Sequence, residues 1–200
     1  MDGNQLYLSI ENKLSKIFTL LIRRSFKGFG RRSIISFPNR FDNAKSISVG
    51  DDVIIYKNCW IMAVDRWYGQ TYNGTIHIAD NAVISQGVQM SAADSISIGK
   101  NTGIGKNCVV VDHLHDYSII DRPIMSSPLT RPSAIVIEED VFVGVNCVIG
   151  PGAHIGKHAF IGGNSVVSGT IPPFCVAVGN PARVIRRYNR TRMKWDRVAP

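Results

Sequence analysis

Along the middle of the chain an aliphatic residue falls at every sixth position, at Ile137, Val143, Ile149, Ile155, Ile161 and Val167. Glycine follows four of them, at Gly144, Gly150, Gly156 and Gly162, and the fourth residue after the first five is small or slim: Val141, Cys147, Ala153, Ala159 and Ser165. A period of six suits neither a helix face nor simple strand alternation. It predicts a solenoid, in which each turn of chain buries its aliphatic residue against the turns on either side. The glycines are expected to permit the sharp corners, because they tolerate unusual backbone angles.

The same beat runs earlier through Val49, Ile55 and Ile61, through Ile78, Ile84 and Met90, and through Ile98, Ile104 and Val110. The alternating pairs Ile47/Val49, Ile76/Ile78 and Ile135/Ile137 lead into coils as short strands. Two interruptions stand out. Residues of about 66–75 carry Trp67, Tyr68 and Tyr72 with Gly69 and Gly74, and read as a projecting loop. Residues of about 116–134 carry Pro123, Pro128 and Pro132, and a loop that long in a compact domain is functional or disordered.

Before the solenoid, Leu6, Ile10, Leu14, Ile17, Phe18 and Leu21 recur at helical spacing, with Lys13, Lys16, Arg23 and Lys27 bordering them. This amphipathic helix is expected to pack as a cap on the solenoid end; a peripheral contact with an anionic membrane surface is the competing reading. Its apolar core is far too short to span a bilayer. The chain thus divides into a basic helix and junction over 1–33, repeats over 34–178, and a basic segment over 179–200.

Charge sharpens that division. Residues 1–32 hold seven basic and two acidic side chains, residues 183–200 hold seven and one, and the stretch between holds nine and twelve. Any anionic partner is therefore to be sought at the ends. Nucleic acid is not expected, because the cations follow no recognition motif. Cys59, Cys108 and Cys147 fall on slim repeat positions and read as small buried hydrophobes, while Cys175 lies beyond the repeats. With no signal peptide evident, the expected compartment is the cytoplasm, with the inner membrane surface as a peripheral location.

The repeats, the segment "VVVDHLHDY" before the long loop and the ending "VVSGTIPPFCVAVGNPARVIR" resemble the hexapeptide-repeat acyltransferases. Within them the chain is most similar to the maltose/galactoside type and to O-acetyltransferases of bacterial surface polysaccharides. The resemblance covers about residues 34–187. It implies a left-handed parallel β-helix, homotrimers with sites between subunits, acetyl-CoA as acyl donor without a metal, and a sugar or glycan hydroxyl as acceptor. It also implies that a histidine acts as general base, five residues beyond the last repeat aliphatic before the loop. Counted from Val110, that is His115, with His113 shaping the site and Asp112 and Asp116 as candidates to orient the imidazole. Ser85 and Asp94 match acceptor-holding positions, Asp94 one residue out of step. Phe142, Gly144 and Gly163 match the pantetheine wall and thioester cradle. Ser168 stands where relatives often carry a phosphate contact, and Arg183 and Arg186 match positions for the adenine and phosphates.

Three alternatives stay open at this point. The acceptor atom is nitrogen on an amino sugar. His113 and His115 are two of three ligands in a zinc hydratase of carbonic-anhydrase type, although no third is recognisable. Or the chain is a non-catalytic trimeric scaffold that uses its basic ends.

Overall fold

A computed structural model describes residues 2–198 of the 200-residue chain. The repeats wind into a parallel β-helix of triangular cross-section, with one sheet on each side. The first sheet stacks Gly28–Phe29, Ile47–Val49, Thr75–Ile78, Ser95–Ile98, Ile135–Ile137, His154–Ile155 and Thr170–Ile171. The second stacks Ile34–Ile35, Ile54–Ile55, Val83–Ile84, Gly103–Ile104, Phe142–Val143, Phe160–Ile161 and Cys175–Val178. The third stacks Arg40–Asp42, Trp60–Ala63, Gln89–Ala92, Val109–Val111, Val148–Ile149 and Val166–Val167. The period of six arises because a two-residue strand and a four-residue corner make one side of the triangle.

In-register pairing places like on like. Ile55, Ile84, Ile104, Val143 and Ile161 form one aliphatic column, and Ile61, Met90, Val110, Ile149 and Val167 another. All ten are buried. Between the columns the slim positions fill the corners, among them Cys59, Cys108, Cys147, Ala153 and Ala159. Cys175 is corrected in place: it is a fourth-position residue after Ile171, and the strand it opens completes the last coil against Phe160–Ile161.

The corners also correct the role given to glycine. The left-handed backbone sits three residues after the aliphatic at most corners, among them Asn81, Asn101, Asn107, Asp140, Asn146 and Asn164, with φ between 56° and 59° at these six. Asn and Asp tolerate that region better than other side chains do. The glycine one residue after the aliphatic answers a different need, the close approach of stacked coils. A Cβ at Gly144 would lie 2.6 Å from the Gly163 nitrogen, and one at Gly156 would lie 2.5 Å from the Pro173 nitrogen.

The ends are finished differently. The helix spans Gly3–Ile22, and the first coil already begins at Gly28, whose strand pairs with Ile47–Val49. Phe26, Phe29 and Phe41 plug the open end of the core, with ring centroids 5.0 and 5.4 Å apart. The helix packs on the edge strand Ile34–Ile35, as a cap should, but with an unexpected face. Ser15, Phe18, Thr19 and Ile22 turn inward, and Ile10, Leu14, Ile17 and Leu21 stay exposed. The Ile35 amide donates to the Thr19 hydroxyl at 2.9 Å, and the Phe37 amide to the Ser15 hydroxyl at 3.3 Å. Unpaired groups of a sheet edge thus find partners on the helix. The side chain of Leu6 lies outside the described residues. At the far end the basic segment is a hairpin, Arg183–Asn189 against Lys194–Arg197, added antiparallel to Cys175–Val178.

Candidate active site

Each corner of the triangular prism is a ridge running along the stack of coils. The ridge that follows the third sheet carries both insertions. The chain leaves it after Trp60–Ala63 to form a small hairpin, Arg66–Trp67 against Gln70–Thr71, and again after Val109–Val111 to form the long loop. The insertions leave from coils two apart on the same ridge and clasp one another. The Trp67 indole N–H donates to the Ser127 carbonyl at 3.1 Å, the Leu129 amide to the Tyr72 hydroxyl at 2.9 Å, and the Tyr68 hydroxyl to Ser126 Oγ at 2.7 Å. Beneath the clasp, Val64, Ala93 and Leu129 form a small second core.

Both candidate histidines lie under this clasp and line one cavity of about 540 Å³, together with Trp60, Met62, Trp67 and Met90. Their surroundings differ. Asp112 is fully buried; its carboxylate accepts from the amides of Ala93 and Asp94, each at 2.8 Å, and meets His113 Nδ1 at 2.8 Å. Asp112 therefore orients His113. Among the described residues His115 has no carboxylate partner: its ring meets Trp67 edge to face with centroids 5.1 Å apart, and its Nδ1 is buried with no hydrogen-bond partner among them. Its backbone bridges to Leu129, which ties it to the returning limb of the loop. Asp116, proposed from sequence as another orienting group, instead accepts from the Ser118 hydroxyl and amide at 2.7 and 2.9 Å. Those bonds hold its carboxyl below the usual carboxylate range.

The remaining candidates fall into two groups. Asp94 and Ser168 belong to the same ridge as the histidines, Asp94 exposed beside Asp112. Ser168 and Arg183 line a separate cavity of about 280 Å³ farther along the stack. Arg186 is exposed on the terminal hairpin, in register with Arg197. Ser85, Gly144 and Gly163 lie on another ridge, the one that follows the second sheet. Phe142 stands on the adjoining face, stacked on Phe160 with centroids 5.4 Å apart. Within one chain, then, Ser85 and the Phe142–Gly144–Gly163 wall do not meet the histidines. A bare cradle does exist there: a Cβ at Gly163 would press to 3.2 Å on the Val145 carbonyl oxygen.

Sequence reasoning missed the clasp, and with it Trp60, Trp67, Met62 and Met90 as cavity walls. Only the clustering of aromatics in 66–75 hinted at it. Among the described residues, no three His, Cys, Asp or Glu side chains converge as a metal site requires.

A family model described as bacterial transferase hexapeptide (six repeats) matches residues 134–169. An Escherichia coli protein named for lipopolysaccharide-biosynthesis O-acetyl transfer, WbbJ, is 33% identical over 172 residues, covering 82% of this chain and 84% of that one. The galactoside O-acetyltransferase of Escherichia coli is 29% identical over 157 residues, covering 77% and 73%. Among solved structures, a hexapeptide-repeat acetyltransferase of Vibrio cholerae complexed with acetyl coenzyme A is similar at a TM-score of 0.56 and 26% identity, covering 92% of this chain and 84% of that one. A Bacillus cereus N-acyltransferase, AntD, in complex with dTDP-4-amino-4,6-dideoxyglucose and coenzyme A, is similar at a TM-score of 0.72, covering 87% and 90%. At 20% identity the latter speaks for the fold alone.

Proposed function

The chain belongs to the hexapeptide-repeat acyltransferases and shares their left-handed parallel β-helix, and on that premise we propose that it transfers an acetyl group from acetyl-CoA to a sugar hydroxyl. The acceptor is a bacterial surface glycan or its lipid-linked or nucleotide-linked precursor, met on the cytoplasmic side of the membrane. The observation that carries this reading is the clasped cavity, lined by two histidines together with Trp60 and Trp67. Indole faces suit the apolar faces of a sugar ring, and an imidazole suits proton removal from its hydroxyl near neutral pH.

The donor supplies an acetyl thioester; the chain supplies position and a base. His115 accepts the hydroxyl proton: it stands five residues beyond Val110, where the family resemblance puts the base, and its ring lines the cavity against Trp67. Phe142, Gly144 and Gly163 form the wall and cradle of the donor arm, and Ser168, Arg183 and Arg186 take its nucleotide end. The histidines and the Gly144–Gly163 cradle lie on different ridges, which supports a trimer in which one subunit's histidine ridge faces the glycine ridge of the next.

A second reading exchanges the histidines, and a specific contact favours it. Asp112 fixes the tautomer of His113, as the orienting acid does in nucleophile–base triads. Labelled acetyl-CoA offered to a panel of sugars tests the function, and product analysis separates ester from amide. His115→Ala should lose about 10²-fold or more in turnover, and His113→Ala less, chiefly through acceptor KM. The opposite ranking assigns the base to His113. Arg183→Ala with Arg186→Ala should raise the KM for acetyl-CoA while leaving kcat nearly unchanged.

A further inference from the structure

The face of the N-terminal helix that does not touch the solenoid carries a pattern of its own. Ile10, Leu14, Ile17 and Leu21, spaced four, three and four residues apart, line up in one stripe and are 49%, 50%, 55% and 75% exposed. Leu20 beside them is 62% exposed. A contiguous apolar stripe left this exposed marks a site of interaction. Along one border of the stripe stand Lys13 and Arg24, with Lys16, Arg23 and Lys27 beyond them, all exposed and none in an ion pair among the described residues. Neighbouring cations are treated otherwise: Arg31 pairs with Asp51, Arg32 with Asp52. The one acidic residue inside the helix, Glu11, turns away from the stripe to meet Lys57 Nζ at 2.6 Å.

We propose that this face docks on an anionic lipid bilayer, with the four-residue stripe seated at the acyl boundary and the five cations at headgroup level. The chemistry selects the occupant. Apolar side chains bordered by cations, without an exposed carboxylate among them, match a negatively charged surface over a hydrocarbon interior. A second copy seated stripe to stripe would bring the Lys13 and Arg24 border against like charges, which opposes it. No helix of the described residues is long and apolar enough to cross a membrane, so the helix lies in the plane of the surface. Its inner face stays bonded to Ile35 and Phe37, so docking needs no rearrangement of the first coil. The proposal deepens the reading of a lipid-linked acceptor, yet its test uses no substrate, so the two fail separately.

The test is sedimentation of the full chain with vesicles of phosphatidylcholine alone, or of phosphatidylcholine mixed with phosphatidylglycerol. The chain should pellet with the mixed vesicles, at least about tenfold more weakly with the neutral ones, and be released as salt shortens the screening length. Lys13→Gln with Arg24→Gln should weaken binding by about 10- to 30-fold, since each surface cation contributes several-fold. Leu14→Gln with Leu21→Gln should reduce it to background at an unchanged melting temperature, because both positions are exposed. No pelleting with mixed vesicles, equal pelleting with neutral ones, or undiminished pelleting of the leucine variant overturns the proposal. So does a parent chain that ignores lipid but drops in mass by light scattering on the leucine changes, since the stripe then seats a second copy.

Discussion

Two ridges of the same prism are built in opposite ways. On the ridge that follows the second sheet the corners at Ser85, Gly105, Gly144 and Gly162 keep the four-residue length, and close coil contacts leave Gly144 no room for a side chain. On the ridge that follows the third sheet, two corners have been opened into the hairpin at 66–71 and the long loop, and these meet over an apolar cavity holding both histidines. A solenoid tolerates such insertions because each coil leans only on its neighbours. The uninterrupted ridge keeps the spacing of the stack, and the interrupted one is free to carry chemistry. Changes at the tight coil contacts of the first ridge should therefore show first in stability, even where the same glycines cradle the donor, and changes on the second chiefly in activity.

The sharpest break of that contrast is Gly144→Ala. The added Cβ would lie 2.6 Å from the Gly163 backbone nitrogen, and neither coil can retreat without parting the stack. A loss of several kcal/mol is expected, about what overpacking and backbone strain cost together, read as a melting temperature lowered by 10 °C or more. A melting temperature within 2 °C of the parent would show the ridge to be compliant.

Asp112→Ala tests whether the functional ridge also depends on one structural side chain. It removes the acceptor of two backbone amides and of His113, leaving buried donors unmet at about 1–3 kcal/mol each. A melting temperature that falls together with activity identifies Asp112 as the anchor of the corner; activity lost at unchanged stability identifies it as part of the catalytic group.

Trp67→Ala is milder. It opens the clasp by removing the bond to Ser127 and the wall against His115, so acceptor KM should rise several-fold. Thermal stability should move by less than about 2 kcal/mol, since the ring is part-exposed and its loop lies outside the coils. A large fall in melting temperature would instead make the clasp part of the core.

The smallest effect concerns the thiols. All four cysteines are free and buried, and burial pushes the Cys59 thiol up to about 11. Near neutral pH the native chain should resist a bulky alkylating reagent for hours and react fully on unfolding. Fast reaction of one thiol in the native state would reveal a coil that opens locally.

The period of six, with its slim fourth positions, determined the solenoid, because burying one aliphatic per side leaves a chain with that rhythm little else to build. The ending after Val166 and the segment Val109–Tyr117 were legible for a different reason: their residues resemble the family's motifs, anchored by the last repeat aliphatics before them. Three things lay beyond the reach of spacing. Which face of the helix would pack was one, since the apolar stripe that reads as the buried side lost to Ser15 and Thr19, whose hydroxyls could satisfy the edge strand. The partner of Asp112 was another: adjacency in sequence says nothing about direction, and the Ala93–Asp94 corner that turns its carboxylate onto His113 comes from the coil below. The third was the cavity itself, which exists only because two loops leave one ridge and bond across it between residues 57 to 60 positions apart in sequence, as Trp67 does to Ser127.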